Sequence, residues 1–476
     1  MPIALAPLLA ASVVSATAVA RPADPVQAAY VVMADRGAVV RAVTTAAACP
    51  VLRLDGRSRR MAPRAAPATL PARPTASGVG DSKPSDFAVM VCEASTPIGP
   101  RRATVAGRTL LLPRHVVRRI VVIGDTGCRL KASTLAYQAC NDPQAYPFAR
   151  IAARAAAWRP DLVIHVGDYL YRENPCAAGH GGCAGSPWGY GWDSWRADFF
   201  GPAAALLAAA PWVVTRGNHE SCNRGGQGWW RLLDPRPIQP GRDCIQPADD
   251  ATGDWSPPYA VPLGGGAQVV VMDLSIADTK AIRPDDPRYA QLVATHDSLA
   301  RLARGARFTF ATDHYPILGV TIPDAKPNAA LSAGNAAVRS TFGAVDPAIV
   351  PAGVDVLLAG HVHLWEHVGF GGTAPSQFVV GFSGTEEDAV PLPSSLPPGT
   401  SPIPGVTVRA FEAWTRGFGF MTFERTGARS WAAAVRAADG RVVRRCRIEG
   451  HRSTCGPEAA WVRARRGPPP SRSGPP

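Results

Sequence analysis

Five short polar clusters punctuate the chain. They are Gly124-Asp125-Thr126-Gly127, Gly167-Asp168-Tyr169-Leu170-Tyr171, Gly217-Asn218-His219-Glu220, Asp313-His314 and Gly360-His361-Val362-His363. Asp125 and Asp168, one asparagine and several histidines among them could serve as ligands. Hard oxygens mixed with imidazoles suit Zn, Mn or Fe, and fit neither soft copper sites nor all-oxygen calcium sites. One tetrahedral ion cannot use so many ligands, so the set implies two metals. Paired ions about 3.5–4 Å apart can clamp the attacking and leaving oxygens of a phosphoryl displacement. Each cluster alone has an ordinary reading. Asp125 alone would cap a helix, Tyr171 alone would pack in a core, and His219 alone would sit in a turn.

Such groups need rigid supports. Each cluster follows a short apolar run: Ile120-Val121-Val122-Ile123, Leu162-Val163-Ile164-His165-Val166, Trp212-Val213-Val214, Phe308-Thr309-Phe310 and Val356-Leu357-Leu358, with a further run at Val269-Val270-Val271-Met272. Helix candidates Ala149–Trp158, Pro202–Ala210 and Arg288–Arg304 lie between them. Runs apolar on both faces and separated by helices predict buried sheets in a layered α/β domain. Open α/β sheets place ligand sites just past the strand ends, where the polar clusters fall. Glycines before Asp125, Asp168, Asn218 and His361 let the backbone turn sharply there.

With 476 residues, 46% hydrophobic and 18% charged, the chain can bury a large core as one or two domains. The composition excludes a coiled coil, a collagen and a polytopic membrane protein, and no repeat at a fixed period is present. The net charge is +13, carried almost entirely by arginine. The arginines are spread along the chain, so no specific nucleic-acid partner is expected. Residues 21–115 hold β-like runs (Tyr30-Val31-Val32-Met33, Phe87-Ala88-Val89-Met90-Val91-Cys92) among Pro/Arg-rich connectors and read as a small β-rich N-terminal unit. Residues 116–455 read as the main domain and 456–476 as a basic, Pro-rich disordered tail.

Residues 3–20 carry no charge and end in Ala18 and Ala20 before Arg21-Pro22, the pattern of a secretory signal peptide over residues 1–20. An uncleaved anchor is the alternative. With cleavage the protein is secreted or periplasmic, with no membrane attachment. Ten cysteines fall into local couples: Cys128 with Cys140, Cys176 with Cys183, Cys222 with Cys244 and Cys446 with Cys455, leaving Cys49 and Cys92. Such numbers suit disulfides in an oxidising compartment, although sequence does not fix connectivity. No CxxC pair exists to suggest a zinc ribbon or a thioredoxin site.

The joint order Gly-Asp, Gly-Asp, Gly-Asn-His-Glu, His, Gly-His-x-His over roughly residues 119–390 resembles the calcineurin-like metallophosphoesterase superfamily. It is most similar to the purple acid phosphatase branch. Most relatives carry Asp-x-His in the first motif; here Gly127 stands where that His would be. Gly167-Asp168-Tyr169-Leu170-Tyr171 fits the Gly-Asp-x-x-Tyr of the purple branch. The fourth motif departs slightly, with Phe310-Ala311-Thr312-Asp313-His314 where that branch usually has Val-x-x-His.

The resemblance implies a layered β-sandwich core flanked by helices. It also implies that one metal takes Asp125, Asp168, Tyr171 and His363, and the other takes Asp168 as a bridge, Asn218, His314 and His361. His219 would stand beside the substrate phosphate as a proton donor or charge stabiliser. A Tyr171 phenolate favours a trivalent ion, so Fe(III) paired with Fe(II), Zn(II) or Mn(II) is expected. The implied reaction is hydrolysis of a small phosphate ester, monoesters favoured, by a metal-activated hydroxide attacking phosphorus. The alternatives are a phosphodiesterase with two divalent ions and a non-catalytic binding protein on the same fold. Other residues read as structural: His165 in the core, His367 near the last motif, and Glu386-Glu387-Asp388 as a solvated turn. His180, in a glycine-rich loop, is a candidate for the substrate cleft.

Overall fold

The computed structural model describes residues 24–461, apart from 36, 74–78, 99–101, 278, 322–331, 389–391, 393–395, 397, 398, 402, 403 and 460. The proposed signal peptide and most of the proposed tail lie outside the described residues. Two large sheets carry the fold. In the first, eleven strands run in the spatial order Arg452–Pro457, Val442–Glu449, Ser430–Ala437, Gly419–Arg425, Arg119–Ile123, Leu162–His165, Trp212–Val214, Val26–Ala34, Gly37–Thr44, Met90–Thr96 and Ala62–Ala65. In the second, seven strands run in the order Tyr259–Gly264, Ala267–Val271, Phe308–Thr312, Val356–Ala359, Ser376–Val380, Trp365–Phe370 and Val408–Trp414.

All six apolar runs of the central region form strands, and the three helix candidates appear as Phe148–Ala157, Ala204–Ala209 and Tyr289–Ala303. Strand alternation sends successive side chains to opposite faces. Ile120 and Val122 therefore join a core shared with Val269, Phe310, Leu358 and Phe423 from between the sheets. Val121 and Ile123 pack on the other side with Phe148, Ile151 and Leu206. The helix Phe148–Ala157 buries Phe148, Ile151, Ala152 and Ala155, one stripe at helical spacing. Truncating Ile151 to alanine there should cost about 2–5 kcal/mol. Helices Tyr289–Ala303 and Ala336–Val345 cover the outer face of the second sheet in the same way. The result is a helix–sheet–sheet–helix sandwich, the layering that the resemblance implies.

The β-rich N-terminal region continues the first sheet. Its strand Val26–Ala34 lies parallel to Trp212–Val214, with Val32 opposite Trp212. A separate four-stranded sheet of Arg108–Leu111, Arg102–Val105, Val51–Leu54 and Arg57–Arg60 sits beside it. Five disulfides join the couples read from the sequence, including Cys49 with Cys92. Among the described residues, no helix is long and apolar enough to cross a membrane.

Three central strands of each sheet are parallel, so their C-terminal ends gather at one end of the sandwich. Thr215 Oγ1 and Thr312 Oγ1 meet there across the sheets at 3.1 Å. All five polar clusters emerge at this end.

Candidate metal centre

The eight residues singled out by sequence converge at one place. Asp125, Asp168, Tyr171, His219, His314 and His363 are buried, and Asn218 and His361 are partly open to solvent. Two groups share Asp168. In the first, the Tyr171 hydroxyl lies 2.8 Å from Asp125 Oδ1, 2.7 Å from Asp168 Oδ2 and 2.9 Å from His363 Nε2. In the second, His314 Nε2 lies 3.1 Å from Asp168 Oδ2 and 3.1 Å from Asn218 Oδ1, and His361 Nδ1 is 3.1 Å from the same Asn218 oxygen.

The donors and acceptors do not balance without a cation. His314 Nδ1 faces the Val166 carbonyl at 2.9 Å and must carry the proton there. A neutral ring would aim its Nε2 lone pair at two oxygen acceptors, so in the absence of a metal the ring takes a second proton there. On the other side, one phenolic proton faces three acceptors. Burial opposes charge on His314, but Asp168 outweighs it and pushes the imidazole up to about 10. Burial likewise opposes ionising Asp168, yet His314 and His219 hold it well below the usual carboxylate range. Burial first, then Asp125 and Asp168, push the Tyr171 phenol well above its ordinary value. A strong local cation is what would turn that phenol into a ligand. The donor set therefore fits bound metal, and Asp168, His314 and His361 bring ligand atoms within 4.8 Å of one another.

Backbone geometry holds these groups in place. Asp125, Asp168 and His361 have φ of 52°, 58° and 71°, a left-handed conformation that costs a non-glycine residue on the order of 1–3 kcal/mol. Gly167 has φ 104°, and a Cβ there would meet the His314 ring at 2.5 Å. The surrounding hydrogen bonds offset this strain.

Several of those supports had little signal in the sequence. The buried Glu220 carboxylate accepts N–H bonds from Asp168, Tyr169, Leu170 and Gly217, tying the second motif to the third. Buried Asp198 accepts from Cys128 and Tyr171 N–H and pairs with Arg172. Glu386-Glu387-Asp388 is a solvated turn only in part: Glu386 is exposed, whereas Glu387 and Asp388 are half-buried. The Glu386 carbonyl lies 2.8 Å from His363 Nδ1, and Asp388 accepts the His363 N–H at 2.9 Å. Only Glu220 was visible beforehand, as the last residue of Gly-Asn-His-Glu.

His219 lies against the first group, its ring centroid 3.8 Å from that of Tyr171. Its N–H donates to Asp168 Oδ1 at 2.9 Å, and its Nδ1 is 3.0 Å from the Leu170 carbonyl. Arg224 lies 2.6 Å from Nε2. Burial and that guanidinium hold the imidazole well below its ordinary value, so the ring is neutral in this arrangement. His165 stacks on Tyr169 at 3.7 Å and meets Thr126 Oγ1 at 2.9 Å, a satisfied core residue. His367 bonds Ser453 at 2.6 Å, away from the ligand groups. His180 is exposed and packs on Tyr137 at 4.7 Å.

A model of the calcineurin-like phosphoesterase family matches residues 118–364. Among solved structures, the chain is similar to a purple acid phosphatase, PPD1, isolated from yellow lupin (Lupinus luteus) seeds. The TM-score is 0.54 at 13% identity, covering 90% of this chain and 73% of that one. It is also similar to PhoD, with a TM-score of 0.51 at 12% identity, covering 91% and 92%. Both likenesses concern the fold. No curated protein matches by sequence.

Proposed function

The chain belongs to the calcineurin-like phosphoesterase family, and from that premise we propose that it is an exported binuclear metallohydrolase of phosphate esters, with monoesters favoured. The observation that carries this reading is that two groups of ligand-type atoms, one around the Tyr171 hydroxyl and one around His314 Nε2, meet at Asp168 Oδ2. Asp125, Asp168, Tyr171 and His363 would hold one ion; Asp168, Asn218, His314 and His361 would hold the other. Two such ions, when bound, acidify a water and neutralise charge on a phosphoryl group. The protein's own part is to fix the ligands. Val166 O and Glu386 O set the His314 and His363 rings so that each presents Nε2 inward.

His219 stands beside the site and not among the ligand groups, held by Leu170 O and Arg224. Its place is next to a bound phosphoryl group, where it would orient or stabilise charge. A Tyr171 phenolate favours Fe(III) in the first position. The five disulfides support export.

The test is metal analysis of the purified protein together with hydrolysis of a mono- and a diester across pH. Two ions per chain and chelator-sensitive monoesterase activity are expected. A fully metallated protein that cleaves neither ester would overturn the reading.

A further inference from the structure

Positive charge lines one side of the metal centre, from two segments of chain. The hairpin formed by Leu130–Lys131 and Ala136–Tyr137 carries Lys131, with Arg129 just before it. It is pinned to the second motif: Leu130 N–H donates to the Tyr171 carbonyl at 3.0 Å, and its own carbonyl accepts from Asn174 N–H at 3.1 Å. The turn after His219 carries Arg224. Two of these cations already have partners. Arg224 pairs with Glu173 and lies against His219. Arg129 pairs with Asp388 at 3.5 Å.

Lys131 has none. It makes no hydrogen bond or ion pair with the described residues, although it is half-buried. Glu173, already taken by Arg224, and Asp168 are the nearby acids; Arg224 and Arg129 are the nearby bases. Burial and those two guanidiniums push its ammonium below the ordinary lysine value. A surface lysine would relieve this by turning into water. This one is held on a hairpin bonded on both sides of it to the second motif: Leu130 N–H to the Tyr171 carbonyl, and Ala132 N–H to Asn174 Oδ1 at 2.9 Å.

We propose that Lys131 is a specificity-determining residue, whose ammonium, backed by Arg224, takes a non-bridging oxygen of the substrate's phosphoryl group and selects esters ending in a doubly charged phosphate over diesters. This rests on the phosphoesterase reading above. A monoester phosphate carries one more negative charge than a diester, and that charge sits on the oxygens a neighbouring ammonium would meet. Ammonium is a compact point charge, so it reads charge more than shape. A charge-assisted hydrogen bond of this kind is strong enough to set a preference by itself.

The experiment compares the metal-loaded protein with Lys131→Met at fixed ionic strength. Three readouts are taken: kcat/KM for p-nitrophenyl phosphate and for bis-p-nitrophenyl phosphate, calorimetric affinity for inorganic phosphate, and metal content. Monoester kcat/KM should fall about 10- to 100-fold, as expected for one charged hydrogen bond. Diester kcat/KM should fall no more than a few-fold, phosphate should bind about tenfold or more weakly, and metal content should not change. An equal loss on both esters, or loss of metal, overturns the proposal. If the parent protein cleaves neither ester, the phosphoesterase reading fails. The phosphate titration still decides for Lys131, and unchanged affinity sinks it.

Discussion

A Cβ on Gly127 would lie 2.7 Å from the backbone nitrogen of Tyr171. The same Cβ would come within 2.9 Å of Asp198 Oδ2 and the Tyr169 carbonyl. The position where relatives carry a ligand histidine is thus filled by the backbone that delivers Tyr171. The two features are one arrangement: Asp198 pulls the Tyr171 N–H against Gly127, and the phenol reaches the site that a side chain at 127 would otherwise supply.

Colour tests this directly. With Fe(III) at the Tyr171 position, ligand-to-metal charge transfer should make the protein violet or pink. Reduction should bleach it, and Tyr171→Phe should abolish the band. An iron-free, fully active protein indifferent to Tyr171→Phe would refute the ferric assignment. Gly127→His should not rescue the variant, because the space is taken.

Asp168 is the shared member of both groups, so its loss should be felt twice. Asp168→Ala should lower bound metal from two ions towards none, and Asp125→Ala should chiefly remove one. Metal stoichiometry by mass spectrometry reads the difference. Equal, partial losses in the two variants would argue against a bridge.

The disulfide Cys222–Cys244 closes a loop that begins three residues after His219. Arg216, buried beneath it, bonds the Glu220 carbonyl and contacts both sulfurs. Thiol titration of unfolded, unreduced protein should find no free thiol. Replacing both cysteines with serine should lower stability by roughly 3 kcal/mol on the chain-entropy model. A free-thiol count well above zero would show that the chain matures in a reducing compartment.

Glu366, three residues beyond His363, gives stability a pH dependence of its own. Its buried carboxyl accepts the Val320 N–H at 2.9 Å, and burial pushes it up to about 8. The folded protein thus holds a proton that the unfolded chain releases near 4.5. This contribution is complete below that value and is lost as pH rises through 8. Glu366→Gln keeps an acceptor for Val320 without the titration. The variant should match the parent near pH 4 and exceed it at pH 9, by on the order of a few kcal/mol. Parallel stability profiles from pH 4 to 9 would rule this out.

The central strands and their polar ends were readable because two regularities coincide there: apolar runs of strand length, and ligand-type residues just past them. Beyond residue 400 the signal fades. Val442–Glu449 reads VVRRCRIE, a mixture that shows neither a buried run nor clean alternation, yet it pairs along its length with Ser430–Ala437. The N-terminal strands were visible as strands, but their attachment to Trp212 depends on tertiary packing that no local pattern encodes. Asp198 gave no signal, and Asp388 none of its role at the site, for a different reason. Each acts by accepting backbone N–H groups from distant segments, so nothing around it in the chain marks it.

The strand that ends in Asp125 lies between Leu162–His165 and Gly419–Arg425, with Val121 opposite Thr422. Its second neighbour is made about three hundred residues after it. At ribosomal speeds of about 5–20 residues per second, that is a wait on the order of 15–60 s. His361 and His363 also come late. A half-made chain therefore offers at most part of a ligand set, too open to hold an ion tightly. On the proposed reading, metal would be taken up by a nearly complete chain, and the ions acquired would be those of the place where it finishes folding, not of the place where it is synthesised.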